Sequence, residues 1–232
     1  MYRKKAQYHE DGSIVLRSKT KFREPYNWKD PQIIFTCSWS DWFVEDADPW
    51  RVEAWQVVKD NPHHTFQILT KRSGRIINHL PSDWNSGYSN VWLGVSLELE
   101  KYKERIDDLL KVPAAVRFVS IEPLLGPIQW DERLSALDWV IIGGESGNSV
   151  GKWRYRKSEI KWMEHLVNEA TKNGVKVFVK QFGTHLAKEL GFKDTHGGEI
   201  SEWGAFPHLQ VREMPVEALG SQIERPALMF KK

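Results

Sequence analysis

Six short apolar runs in this sequence are each followed directly by residues able to do chemistry. Cys37-Ser38-Trp39-Ser40-Asp41 follows the first run and Thr70-Lys71-Arg72 the second. Ser96, then Glu98, follow the third, and Glu122-Pro123-Leu124-Leu125-Gly126-Pro127 the fourth. Gly143-Gly144-Glu145-Ser146-Gly147 comes after the fifth and Lys180-Gln181-Phe182-Gly183 after the sixth. A carboxylate shielded from water could move protons or orient polar substrate groups. Lys71, Arg72 and Lys180 could hold a phosphate or a carboxylate. The candidate pocket residues are Ser38, Asp41, Lys71, Arg72, Ser96, Glu122, Gly143, Gly144, Glu145, Lys180 and Gln181. Any one of these turns has a plainer explanation: Ser38 or Asp41 as a helix cap, Lys71 and Arg72 as surface charge, Gly143-Gly144 as a tight turn. Their recurrence after nearly every run is harder to dismiss. Parallel α/β folds gather their ligands beyond the C-terminal strand ends.

The elements that must position these residues follow from the pattern of the runs. Gln32–Thr36, Thr65–Leu69, Val91–Val95, Val116–Ile121, Trp139–Ile142 and Val175–Val179 are rich in β-branched residues and nearly continuous. Strands covered on both faces read this way, as in parallel sheets. Helices fit between most of them. Asp48-Pro49 supplies a cap and a first-turn proline for Trp50–Lys59, with Val52, Trp55 and Val58 facing inward. Glu100–Leu110 carries an apolar stripe of Tyr102, Ile106, Leu109 and Leu110, and Pro113 stops it. Ser158 is placed to cap Glu159–Lys172, which Asn173-Gly174 ends. A shorter helix is expected around Gly74–Leu80. Alternating strand and helix implies a parallel sheet with right-handed crossovers, either an open doubly wound sheet or most of a barrel. The segment Ala187–Lys232 is rich in Gly and Pro and reads as an irregular tail.

The 232 residues carry a net charge of +2, which gives no general pull towards polyanions. The charge is uneven, however. Residues 1–29 hold eight Lys and Arg against three Asp and Glu. A second basic cluster contains Lys152, Arg154, Arg156, Lys157 and Lys161. Solvated surface is the plain reading of both, and contact with nucleic acid the sharper one. The single cysteine, Cys37, excludes a disulfide framework within the chain and fits a reducing compartment. No signal-peptide core and no membrane-length apolar run is present, so the expected location is the cytoplasm, with no membrane partner.

Several catalytic signatures are missing. There is no Walker A pattern, no Gly-x-Gly-x-x-Gly after a strand and no His-Glu-x-x-His. His63-His64 precedes a strand and reads as structural. His185, His196 and His208 lack metal-ligand spacing. Cys37 is expected to be a buried, inert thiol.

The motifs after the runs, taken in order, resemble those of one known family. They are Trp39-Ser40-Asp41-Trp42-Phe43, Leu69-Thr70-Lys71-Arg72, Trp92-Leu93-Gly94-Val95-Ser96, Glu122 to Pro127, Asp138 to Gly147, Lys180 to Gly183, and the later Val211-Arg212-Glu213-Met214-Pro215. The resemblance is to the phage-associated "gene product 37 / gene product 68" proteins of unknown function, from about Tyr8 to about Pro215. Those proteins resemble radical S-adenosylmethionine enzymes. The resemblance implies an incomplete TIM-like barrel over residues 1–186, with an irregular extension over 187–232 packed on it. It also implies a [4Fe–4S] cluster held by three cysteines, with S-adenosylmethionine as cofactor. This sequence has one cysteine, in a different motif, so no cluster or cofactor is expected on the chain as written. The expectation is a truncated form lacking the three-cysteine segment and the first strand. An exposed sheet edge would follow, inviting self-association.

Three functions remain open from sequence. One is a radical-type enzyme, complete only with a three-cysteine segment, acting on nucleic acid or nucleotides. Another is a nucleic-acid-binding module using Lys152, Arg154, Arg156 and Lys157. The third is a partner subunit of a cysteine-bearing chain.

Overall fold

A computed structural model describes residues 15–38, 40–148, 150–151 and 154–215. Lys152 and Trp39 lie outside the described residues. The fold is mixed α/β. Its strands are β1 (Ile33–Phe35), β2 (Thr65–Thr70), β3 (Val91–Ser96), β4 (Val116–Ile121), β5 (Trp139–Gly143) and β6 (Lys176–Gln181). Helices are α1 (Arg51–Asp60), α2 (Glu104–Leu110), α3 (Glu132–Ser135), α4 (Ile160–Lys172) and α5 (Gly183–Glu189). The six strands form one sheet in chain order, and β1–β2, β2–β3, β3–β4 and β5–β6 pair parallel. A strand order that never reverses has no switch point, which removes the doubly wound alternative. Among the described residues no helix is long and apolar enough to cross a membrane.

The chain divides into two compact units at Ser120/Ile121, with Glu98–Glu100 belonging to the second. In unit 1 the strand register puts Leu93 beside Arg117 and Val95 beside Val119 on one face. Helix α2 packs on β3 and buries Ile106 and Leu109. The opposite face carries Trp92, then Gly94 beside Phe118, then Ser96 beside Ser120 at the C-terminal ends. Apolar layers thus lie below a polar layer. Each fully buried Leu, Ile or Phe contributes about 1.5–3 kcal/mol, so this layering strongly specifies the register. An aromatic chain, Trp42–Trp55–Trp84–Tyr88, runs beside α1 with ring centroids 5.0, 5.3 and 4.9 Å apart. It accounts for three of the many tryptophans as packing.

In unit 2, Val140 pairs with Val177 and Ile142 with Val179. Helix α4 packs on both strands and buries Met163, Leu166, Val167 and Ala170. Asn173 ends α4 and Gly174 follows with φ +72°, as the sequence predicts. After α5 the described residues hold two short 3-10 turns, Ile200–Glu202 and Pro207–Leu209. The segment Val211–Glu213 then runs antiparallel along β6, with Val179 N donating to Val211 O and Glu213 N to Val177 O.

Local details differ from the sequence reading. Asp48 does not cap α1; it sits in a preceding 3-10 turn, Glu45–Trp50, where Arg51 and Arg75 bind its carboxylate. Two guanidiniums outcompete a helix terminus for that charge. Val52 faces solvent at 84% exposure, while Trp55 and Val58 are buried. Ser158 caps nothing, and its buried hydroxyl has no partner. The Gly74–Leu80 region forms two 3-10 turns, Ser73–Arg75 and Ile77–His79, in place of one helix.

Candidate functional site

Two polar clusters stand at C-terminal strand ends, one in each unit. In unit 1 the centre is Asp41, in the loop after β1. Its Oδ1 accepts from Phe43 N at 2.8 Å and Thr70 Oγ1 at 2.7 Å. Its Oδ2 accepts from Lys71 N at 2.9 Å and faces Arg72 Nη1 at 3.3 Å. Arg72 Nε also donates to Glu45 at 3.2 Å. Each carboxylate oxygen of Asp41 is therefore spoken for twice, and only 13% of the side chain is exposed. This geometry fastens the end of β2 to the loop after β1. The structure brings Asp41 together with the backbone N of Lys71 and the side chain of Arg72, and adds the Thr70 hydroxyl, which was not among the candidate pocket residues. Ser38 is exposed. Ser96 is buried, and its carbonyl accepts from Arg105 Nη1 at 2.8 Å. Arg105, at the start of α2, has no motif that would have singled it out.

Cys37 is exposed, contrary to the buried thiol expected. Surrounding protein and the nearby Asp41 charge still push its pKa up to about 11. At neutral pH the group is therefore a thiol rather than a thiolate, and a weak nucleophile.

In unit 2 the centre is Glu122, directly after β4. Lys180 Nζ donates to its two oxygens at 2.8 and 3.0 Å. The two side chains are 21% and 28% exposed, so the pair is sheltered but reachable. The space comes from Gly143 on β5. A Cβ there would stand 3.2 Å from Glu122 Cγ and 3.3 Å from its carboxyl carbon. Lys180 owes its aim to an irregularity. Ile142 pairs with Val179 but Gly143 pairs with Gln181, so Lys180 is an extra residue in β6. Such a bulge re-aims a side chain, and bulges recur at barrel rims and beside active sites.

Three more candidates frame this pair. Gln181 Nε2 donates to Gly144 O at 2.9 Å, and Gly144 N to Gln181 O at 3.0 Å. Gly144 cannot carry a side chain, since a Cβ would meet Phe182 O at 2.0 Å. Thr184 N donates to Glu145 O at 2.9 Å, and Gly147 N to Thr184 Oγ1 at 3.2 Å. Glu145 itself is held by Arg156 through its N at 2.7 Å, Nε at 2.9 Å and Nη2 at 2.6 Å. Hydrogen bonding to Arg156 holds the Glu145 carboxyl below its ordinary pKa, and the same contact raises Arg156. Glu145 is thus a loop clasp. Of the basic candidates, Arg156 makes that clasp, Lys157 lies 3.6 Å from Glu159, and Arg154 is exposed. Lys161 also pairs with Glu159, at 2.8 Å.

Among the described residues, no group of three His, Cys, Asp or Glu side chains could hold a metal ion. His64 is structural, as read from sequence. Its Nδ1 accepts from Gln32 N at 3.1 Å and its Nε2 donates to Pro25 O at 3.1 Å. His208 pairs with Glu164 at 2.8 Å.

The fold and these clusters define an α/β protein with charged side chains presented at its C-terminal strand ends. Residues 2–223 match the model of a family described as protein of unknown function (DUF5131), and the chain belongs to that family. No curated protein and no solved structure matches it.

Proposed function

We propose that this chain is the substrate-holding body of an incomplete TIM-like barrel enzyme, of the phage-associated, radical S-adenosylmethionine kind, acting on nucleic acid or nucleotides. The observation that carries the reading is the Glu122–Lys180 pair, sheltered yet reachable at the strand ends of unit 2. Active sites of barrel enzymes lie at that end. A carboxylate and an ammonium there match the donors, acceptors and phosphates of a nucleotide. The radical class rests on the ordered motifs from Trp39-Ser40-Asp41 to Lys180-Gln181-Phe182-Gly183.

The residues of this sequence do not fit the iron–sulfur cluster which that class implies. A cluster held by three thiolates needs three cysteines, and the sequence has one. No step is assigned to the cluster. The thiolates would have to come from outside these residues, as from a cysteine-bearing partner. The lone cysteine also agrees with a reducing, cytoplasmic setting.

Calorimetric titration with the four ribonucleoside monophosphates and a short single-stranded oligonucleotide tests this reading. At least one should bind, and Glu122→Gln and Lys180→Met should each weaken it by about tenfold or more, the worth of one charged hydrogen bond. Equal affinity in both variants, or no binding at all, sinks it.

A second reading, a nucleic-acid-binding module, uses the exposed Arg154 and its neighbours. Arg156, Lys157 and Lys161 face acidic side chains of their own chain, which lowers the positive charge available to a polyanion. Oligonucleotide affinity that falls steeply with salt and is unaffected by Glu122→Gln would favour this reading.

A further inference from the structure

The motif Val211-Arg212-Glu213 has no part in the function proposed so far. Its surroundings give it one. The bulge in β6 takes Lys180 out of the parallel ladder with β5. A backbone carbonyl displaced from a ladder still needs a donor. Arg212 provides it: its Nη2 lies 3.2 Å from Lys180 O and 2.7 Å from Gly198 O, and its Nε lies 3.4 Å from Val179 O. The guanidinium carbon is 5.6 Å from the centre of the Phe178 ring and 5.4 Å from that of Trp203, so two aromatic rings flank it. The strand around Arg212 is fixed as well. Trp139 Nε1 donates to Glu213 O at 2.9 Å, and Val177 N to Glu213 Oε2 at 3.0 Å.

The planar fork of Arg212 therefore holds the outer edge of the bulge while the Lys180 side chain leaves from the same residue towards Glu122. We propose that Arg212 is a positioning residue of the candidate site: it fixes the bulge that aims Lys180 at Glu122. This rests on the reading of that pair as the site, and makes the tail a working part of it. A lysine at position 212 would keep the charge but lose the fork needed to hold several carbonyls at once.

Limiting acylation of the full chain with N-acetoxysuccinimide tests this, with the label on Lys180 measured by peptide mass spectrometry against Lys172 on α4. Wild type, Arg212→Leu, Arg212→Lys, Glu122→Gln and the Arg212→Leu/Glu122→Gln double variant are compared. Release from Glu122 should raise Lys180 labelling by roughly threefold in Glu122→Gln and in Arg212→Leu, the scale of a partly exposed ion pair. Arg212→Lys should fall between wild type and Arg212→Leu, and it keeps the test available if Arg212→Leu does not fold. The double variant should label no faster than Glu122→Gln alone, because both changes act through one contact.

A lower melting temperature in Arg212→Leu with an unchanged ratio of Lys180 to Lys172 label would overturn the proposal, leaving Arg212 as plain packing. So would additive effects in the double variant. Unchanged labelling in Glu122→Gln would overturn the ion pair itself, and with it the functional reading. That pattern is distinct from a failure confined to Arg212.

Discussion

The two units build their strand ends on the same plan and fill them differently. In each, a glycine lets a side chain lie across it, from the paired strand in unit 1 and from the turn after β4 in unit 2. Over Gly94 in unit 1 lies the Phe118 ring, which a Cβ would meet at 2.4 Å. Over Gly143 in unit 2 lies the Glu122 carboxylate, 3.2–3.3 Å from where a Cβ would be. The acidic groups differ too. Asp41 faces four donors from its own unit, three of them on one short stretch, Thr70 to Arg72. Glu122 has one lysine ammonium across its two oxygens. A fully engaged carboxylate stabilises a fold. A lightly held one can exchange its partner for a ligand. Proximity to a strand end is therefore not enough to mark a catalytic candidate; how fully its hydrogen-bonding capacity is used decides between the two roles.

Stability measurements should separate them. Asp41→Ala leaves Phe43 N and Lys71 N without their acceptor and is expected to cost about 2–3 kcal/mol in urea unfolding. A loss no greater than that of Glu122→Gln would break the contrast. Gly94→Ala should cost about 1–3 kcal/mol, since the Phe118 ring must move within a packed layer. Gly143→Ala should cost less but displace Glu122, so its mark is lost nucleotide binding with a nearly unchanged melting curve. Glu122→Gln should change stability by less than about 1 kcal/mol, because both partners reach solvent.

Acid should open the units at different pH. Burial holds His64 of unit 1 below its ordinary value of 6.5. The folded form then binds fewer protons than the unfolded one, so the stability tied to His64 is complete above pH 6.5 and falls as pH drops from there. Glu145 of unit 2 is held below 4.5 by Arg156, so its clasp persists until pH falls below about that value. Amide exchange near Pro25 and Gln32 should quicken between pH 6.5 and 5, after correction for intrinsic rates, before exchange near Gly147 does. The reverse order would contradict the assignment.

Much of this was legible in the sequence. All six strands fall within two residues of where β-branched runs place them, because a strand covered on both faces has few alternatives to a continuous apolar run. Helix starts were less legible. Asp48 and Ser158 have the right chemistry for caps, but a cap competes with every other partner the fold brings near, and Arg51 and Arg75 took Asp48. The eleven pocket residues divided along lines no local pattern records. Glu122 and Lys180 are 58 positions apart. Their meeting depends on a one-residue bulge that leaves no mark on composition. Arg212 was visible only as part of a motif, without a role.

The contact between Gly144 and Gly183 has a mechanical consequence. A Cβ on either would stand within 2.7 Å of backbone from the other's loop, so the two loops touch main chain to main chain with no side chain between them as cushion. Hydrogen bonds from Gly144 N to Gln181 O and from Thr184 N to Glu145 O stitch them on both sides of that contact. Neither loop can be pushed without driving the other. Any displacement of the turn after β5 would therefore be passed to the start of α5, so that the pair is built as a single lever rather than as two independent flaps.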